Sequence, residues 1–109
     1  MDTMNVLLVD DEPDIRAIGE LSLVTFAGWQ VVSAGSGRDA LARLADATPD
    51  VVLLDVMMPG MDGPATLAQI RQTEQGGSLP VIFMTARTQR SEIQEYLGLG
   101  AAGVIAKPF

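Results

Sequence analysis

The sequence predicts an α/β fold, a parallel sheet of five strands with helices on both faces. Three observations predict it. Short apolar runs alternate with segments of helical period in the pattern βαβαβαβαβ across 109 residues. The run at residues 51–55 is apolar up to its last position, as a strand buried on both faces requires. The connections are short, and a strand–helix–strand unit of this kind returns to the same sheet in the right-handed sense.

Residues 5–9 read as the first strand. Asp10-Asp11-Glu12-Pro13 then opens a helix, with acidic residues at the positive helix end and proline in the first turn. Ile15, Ile18, Leu21, Leu23 and Val24 give that helix an apolar face, which Gly19 weakens, and Ala27-Gly28 ends it. Residues 29–34 supply the second strand. Ser36-Gly37-Arg38-Asp39 has the form of a capping box, followed by Leu41, Leu44 and Ala45 on one face. Pro49 breaks the chain before the third strand at 51–55, and the Gly- and Pro-rich stretch 57–63 is a loop. The third helix is expected at 64–72 and a turn at 75–78. The fourth strand is expected at 80–84. Thr88 is the expected cap of a fourth helix over about 90–97, with Ile93, Tyr96 and Leu97 inward. Gly98, Gly100 and Gly103 punctuate the approach to a last strand at 104–106. One more helix after Phe109 would complete the alternation, so the expectation is a single domain over 1–109 that lacks its final helix and leaves apolar sheet uncovered. Met1-Asp2-Thr3-Met4, just before the first strand, suggests a natural N-terminus.

Composition excludes several classes. Apolar residues make up 48% of the chain, which argues against disorder, and no apolar run approaches the roughly 18 residues of a membrane span. The net charge is −7 and the seven basic residues are dispersed, so a stripe for phosphate backbones is missing and direct nucleic-acid binding is not expected. There are no cysteines, hence no disulfide or thiolate metal site. There are no histidines either, which removes imidazole bases, imidazole ligands and a phosphohistidine carrier role. No G-x-x-x-x-G-K-[ST] loop is present, which argues against NTP binding.

Four polar positions stand where apolar runs end: Asp10-Asp11, Asp55, Thr85 and Lys107, the only lysine. If the strands are parallel, all four meet at the carboxyl edge of the sheet, where open α/β sheets bind ligands. One aspartate of the doublet can be a helix cap, which leaves the other unexplained. Asp55 can be a turn residue, or a carboxylate nucleophile toward phosphorus. Hard oxygen ligands around an open position suit Mg2+. Thr85 can end a strand or donate to a phosphoryl oxygen. Lys107 can be a solvated lysine, or pair with a carboxylate and later with a phosphate. Pro108 can hold a cis bond that aims Lys107 inward.

Val9-Asp10-Asp11-Glu12, Leu53-Leu54-Asp55-Val56-Met57-Met58-Pro59-Gly60-Met61-Asp62-Gly63, Met84-Thr85-Ala86 and Lys107-Pro108-Phe109, in this order and spacing, closely resemble the receiver domain of two-component response regulators. The resemblance implies a flavodoxin-like, doubly wound sheet in strand order 2-1-3-4-5. It implies that Asp55 is the phosphoacceptor. Asp11, Asp55 and the Met57 carbonyl would be direct ligands of Mg2+ (or Mn2+), with Asp10 acting through water. Thr85, with Ala86 beside it, would be the switch position contacting the phosphoryl group, and Lys107 would contact it too. The implied partners are a sensor histidine kinase or histidine phosphotransfer protein and a downstream output domain or protein. A cytoplasmic location without membrane contact and a phosphorylation-dependent homodimer are further expectations. The chain would catalyse only its own phosphoryl transfer and dephosphorylation.

The sequence departs from the family pattern at Val104, where many receivers carry an aromatic three residues before the lysine. A valine reports the motion of Thr85 through less displaced area, so output is expected to pass through residues 86–90. Met57 can shield an acyl phosphate from water, and Arg87 can pair with a phosphate oxygen or lie in solvent. A pseudo-receiver acting only as a binding module is the alternative. A metal-dependent phosphatase is a third reading, and Met57 stands where such enzymes need an acid/base carboxylate.

Overall fold

The computed structural model describes residues 3–86 and 88–107. The expectations placed on Arg87 and Pro108 therefore lie outside the described residues. Five strands, β1 (Asn5–Val9), β2 (Gln30–Ala34), β3 (Val51–Asp55), β4 (Val81–Thr85) and β5 (Gly103–Ala106), form one parallel sheet in order β2-β1-β3-β4-β5. The helices are α1 (Pro13–Ser22), α2 (Gly37–Ala47), α3 (Gly63–Arg71) and α4 (Arg90–Gly98). Fold class, strand count and strand order all agree with the sequence expectation.

Side chains alternate along each strand, and the two sheet faces carry separate cores. Leu7, Val9, Val52, Leu54, Val81 and Phe83 point toward α2, α3 and α4, where they meet Ala40, Leu44, Leu67, Ile70 and Tyr96. Phe83 and Tyr96 pack edge to face at 5.3 Å and 71°, a geometry contributing about 0.5–1.5 kcal/mol beyond area burial. Val6, Leu8, Val51, Leu53 and Met84 point the other way, against Leu23, Trp29, Val31 and Ile82. β3 lies in the middle of the sheet and every one of its residues is buried, which is why its sequence is a continuous apolar run.

The first helix departs from its expected face. α1 stops at Ser22 and a π-helical turn, Leu23–Ala27, follows, closed by Gly28 at φ 70°. Ile18, Leu21 and Val24 are exposed, whereas Gly19 is buried. The missing side chain at Gly19 lets the helix turn that side to the sheet, and the wider π turn brings Leu23 onto the second core. Beside it Leu8, Leu23, Leu53, Met84 and Ile105 line an apolar groove.

Three smaller corrections concern helices. Ala45 is exposed, and Ala40 takes its place in the core. Gln89, not Thr88, is the N-cap of α4, without a side-chain hydrogen bond. Leu97 is exposed, because Tyr96 alone fills the buried position of α4. The Ser36 cap is present: its hydroxyl accepts from the Asp39 amide at 3.0 Å.

Candidate functional site

The parallel register delivers the four polar positions to one edge. β1 pairs with β3 from Val6–Val51 to Val9–Leu54, so Asp10 leaves β1 beside Asp55 at the end of β3. Asp55 is opposite Met84, and Thr85 is opposite Ala106, one residue before Lys107. The Lys107 amide also donates to the Thr85 carbonyl at 2.9 Å, so the ends of β4 and β5 are joined.

Asp10, Asp11 and Asp55 each present a carboxylate oxygen within 4.8 Å of the others. Asp10 and Asp55 are buried and Asp11 is half-buried. Lys107 bridges two of them. Its ammonium lies 2.8 Å from Asp10 Oδ2 and 3.4 Å from Asp55 Oδ1, with Glu12 Oε1 at 3.9 Å. Asp10 Oδ1 accepts the Glu12 amide at 2.9 Å, a local turn that closes the β1–α1 loop. The aspartate doublet is thus resolved: Asp10 is the buried, paired member, and Asp11 faces the open side.

Burial is the largest influence on Asp55, and the Asp10 charge beside it acts the same way. Lys107 and the Met57 amide, 3.4 Å from Oδ1, oppose them. The balance raises the carboxyl to about 6. At neutral pH it is still mostly ionised, as a nucleophile must be. Burial alone would lower the Lys107 ammonium. The Asp10 hydrogen bond and the charges of Asp55 and Asp10 outweigh it, and the group stands above its ordinary value. One ammonium therefore faces several carboxylates, and the surplus of negative charge is what a divalent cation offsets.

The donor set fits such an ion. It consists of three hard carboxylate oxygens within 4.8 Å of one another, two from buried residues and one from the half-buried Asp11. No other cluster of metal-ligating side chains occurs among the described residues. Met57 has its side chain exposed at the rim, where it can shade the Asp55 carboxylate. Thr85 is buried at the end of β4, and Ala86 beyond it is exposed. Val104 is half-buried on the α4 side and packs against the core beside Phe83, its register partner.

Two residues to which the sequence reading gave no role of their own shape the site. Gly63 opens α3 directly under β3: a Cβ there would stand 2.6 Å from the Asp55 carbonyl and 2.7 Å from Val56 Cα. Arg16, in α1, reaches back to donate to the Asp10 carbonyl at 2.7 Å. Gly63 stands in a recognisable Asp-Gly-Pro start of a helix, whereas nothing local distinguishes Arg16 from a solvated arginine.

Comparison with known proteins agrees with this geometry. Residues 6–109 match the response regulator receiver domain family. The chain is 41% identical to the transcriptional regulatory protein AfsQ1 of Streptomyces coelicolor, over 95% of this chain and 44% of that protein. It is 42% identical to the response regulator MprA of Mycolicibacterium vanbaalenii, over 97% of this chain and 45% of that one. It therefore spans less than half the length of these relatives. Among solved structures, the chemotaxis response regulator CheY4 of Vibrio cholerae superposes with a TM-score of 0.90 at 36% identity, covering 99% of this chain and 89% of that one.

Proposed function

Since the chain belongs to the response regulator receiver domain family, we propose that it is a phosphorylation-activated switch whose acceptor is Asp55. The observation that carries this reading is the convergence of Asp10, Asp11 and Asp55 within 4.8 Å, with Lys107 spanning Asp10 and Asp55. An Asp55 oxygen attacks phosphorus in line as the donor's P–N bond breaks, and the electron pair stays on the donor imidazole. Asp11, Asp55 and the Met57 carbonyl would hold a Mg2+ or Mn2+ ion, with Asp10 acting through water, and the ion when bound would supply positive charge for the phosphoryl oxygens.

The chain's own residues do the rest. Lys107 exchanges part of its contact with Asp55 for a phosphoryl oxygen, which keeps the new charge paired. Thr85 offers a hydroxyl at the end of the adjacent strand. With Val104 rather than a ring at the core, the response travels through Ala86 into the start of α4. The donor is a sensor histidine kinase or a phosphotransfer protein, and the output lies in a further domain or protein. The relatives named as transcriptional regulators support that last step. The chain catalyses only its own phosphorylation and dephosphorylation, in a cytoplasmic setting. No described helix is long and apolar enough to cross a membrane.

The test is incubation with Mg2+ and a small phosphodonor, or with beryllofluoride, for the parent and Asp55→Asn. Mg2+-dependent modification of the parent alone supports the switch. No modification of either identifies a pseudo-receiver, and steady phosphate release from unrelated monoesters identifies a phosphatase.

A further inference from the structure

Asp11 is the least buried member of the carboxylate cluster, yet among the described residues no hydrogen bond or ion pair holds its side chain. Its aim is set by its backbone. Both flanking peptide groups are clamped. On the following side, the Glu12 amide donates to Asp10 Oδ1 at 2.9 Å. On the preceding side, the Asp10 carbonyl accepts from Arg16 Nη1 at 2.7 Å. The Asp10 amide is pinned as well, donating to the Ala34 carbonyl at 3.1 Å.

Arg16 can make its contact because the neighbouring connection is bare. Its backbone amide continues α1 by donating to the Glu12 carbonyl at 3.1 Å. Its guanidinium lies against Gly35, where a Cβ would stand 3.0 Å from Nη1 and 3.5 Å from Cζ. Asp10 is fully buried, and its carbonyl sits past the last ladder pair of β1 with β3. A planar donor filling this narrow space is a task a guanidinium meets and an ammonium meets only in part.

We propose that Arg16 is a positioning residue for the cation site: by holding the Asp10 carbonyl it fixes the peptide that aims the Asp11 carboxylate toward Asp10 and Asp55. This rests on the cation-dependent reading above and adds a residue to it that touches neither ion nor phosphate. Residues that orient metal ligands typically change affinity about 10–100-fold when removed.

Mn2+ binding, followed by the loss of free-ion electron paramagnetic resonance, reads this directly and needs no phosphodonor. Arg16→Met keeps the apolar stem and removes the donors. It is expected to weaken Mn2+ binding about tenfold at a temperature well below its unfolding midpoint, and Arg16→Lys is expected to recover part of the loss. Gly35→Ala, which crowds the guanidinium without removing it, is expected to shift binding in the same direction by a few-fold. It serves as the deciding variant should Arg16→Met not fold. Parent-like Mn2+ binding in folded Arg16→Met, or in Gly35→Ala if the former is unfolded, overturns the role of Arg16 alone. Absence of Mn2+ binding in the parent overturns the cation site itself, and the positioning role with it.

Discussion

Lys107 donates to Asp10 Oδ2 at 2.8 Å across 97 positions of sequence, joining the two ends of the described chain at the centre of the site. Asp10 is fully buried and the lysine side chain is 13% exposed, so neither charge is well hydrated. Lys107→Met leaves a buried carboxylate without its cation. Breaking such a pair costs about 3–5 kcal/mol, and the remaining Glu12 amide bond to Asp10 places this case at the lower end. Urea unfolding without metal should show that loss, and saturating Mg2+ should restore part of it.

The raised Asp55 carboxyl gives a pH signature. In the unfolded chain it titrates near 3.8 and in the fold near 6. Its contribution is therefore stabilising below the unfolded value and is lost as pH rises through about 6, because the fold binds the proton more tightly. The metal-free protein should lose about 2 kcal/mol at most from this group between pH 4 and pH 7.5, since solvent screening reduces the full linkage value. Asp55→Asn should remove that component, and its unfolding free energy at pH 7.5 should exceed that of the parent. A parent and variant with parallel pH profiles would contradict the assignment.

Gly63 and Gly98 make opposite predictions from the same substitution. A Cβ at Gly63 would press on the Asp55 carbonyl and Val56 Cα, both backbone atoms that cannot swing aside. Gly63→Ala should destabilise by about 1–3 kcal/mol and slow phosphorylation by a small-molecule donor. At Gly98, in the last position of α4, nothing lies within 4 Å of an added Cβ. Gly98→Ala should leave phosphorylation unchanged and stabilise by up to about 0.5 kcal/mol, as thermal unfolding would show.

The route of the response is open to hydrogen exchange. With Val104 packed beside Phe83 and no ring at that position, beryllofluoride with Mg2+ should alter exchange at Ala86 and residues 88–90 as well as beside Asp55. Changes confined to the surroundings of Asp55 would eliminate this route.

The site was largely legible in the sequence because its members close apolar runs. Val6–Val9 and Val51–Leu54 announce strands, and a carboxylate at each exit stands out against them. Position alone did not distinguish the members of the doublet, since both sit at a helix start; only the family resemblance gave them different roles, Asp11 as a direct ligand and Asp10 through water. Only the turn from Asp10 Oδ1 to the Glu12 amide and the lysine contact separate the buried residue from the open one. Arg16 and Arg71 were illegible for a related reason. Arg71 donates to the Gly76, Leu79 and Gly100 carbonyls at 2.8, 2.6 and 3.1 Å. Its partners are backbone groups of loops, which leave no mark on composition or periodicity.

The face of α1 shows the same division. Helical period placed Ile18, Leu21 and Val24 inward, but period alone fixes which residues share a face, not which face meets the sheet. That choice fell to Gly19 and the π turn, because close approach and the filling of the second core are decided between elements. The sequence by itself determined the alternation of strands and helices and the polar positions at the strand exits, since burial and spacing act locally along the chain. Tertiary structure alone decided the strand register that brings Asp10, Asp55 and Lys107 together, and with it the raised Asp55 carboxyl. Both depend on distances and burial between residues far apart in the chain.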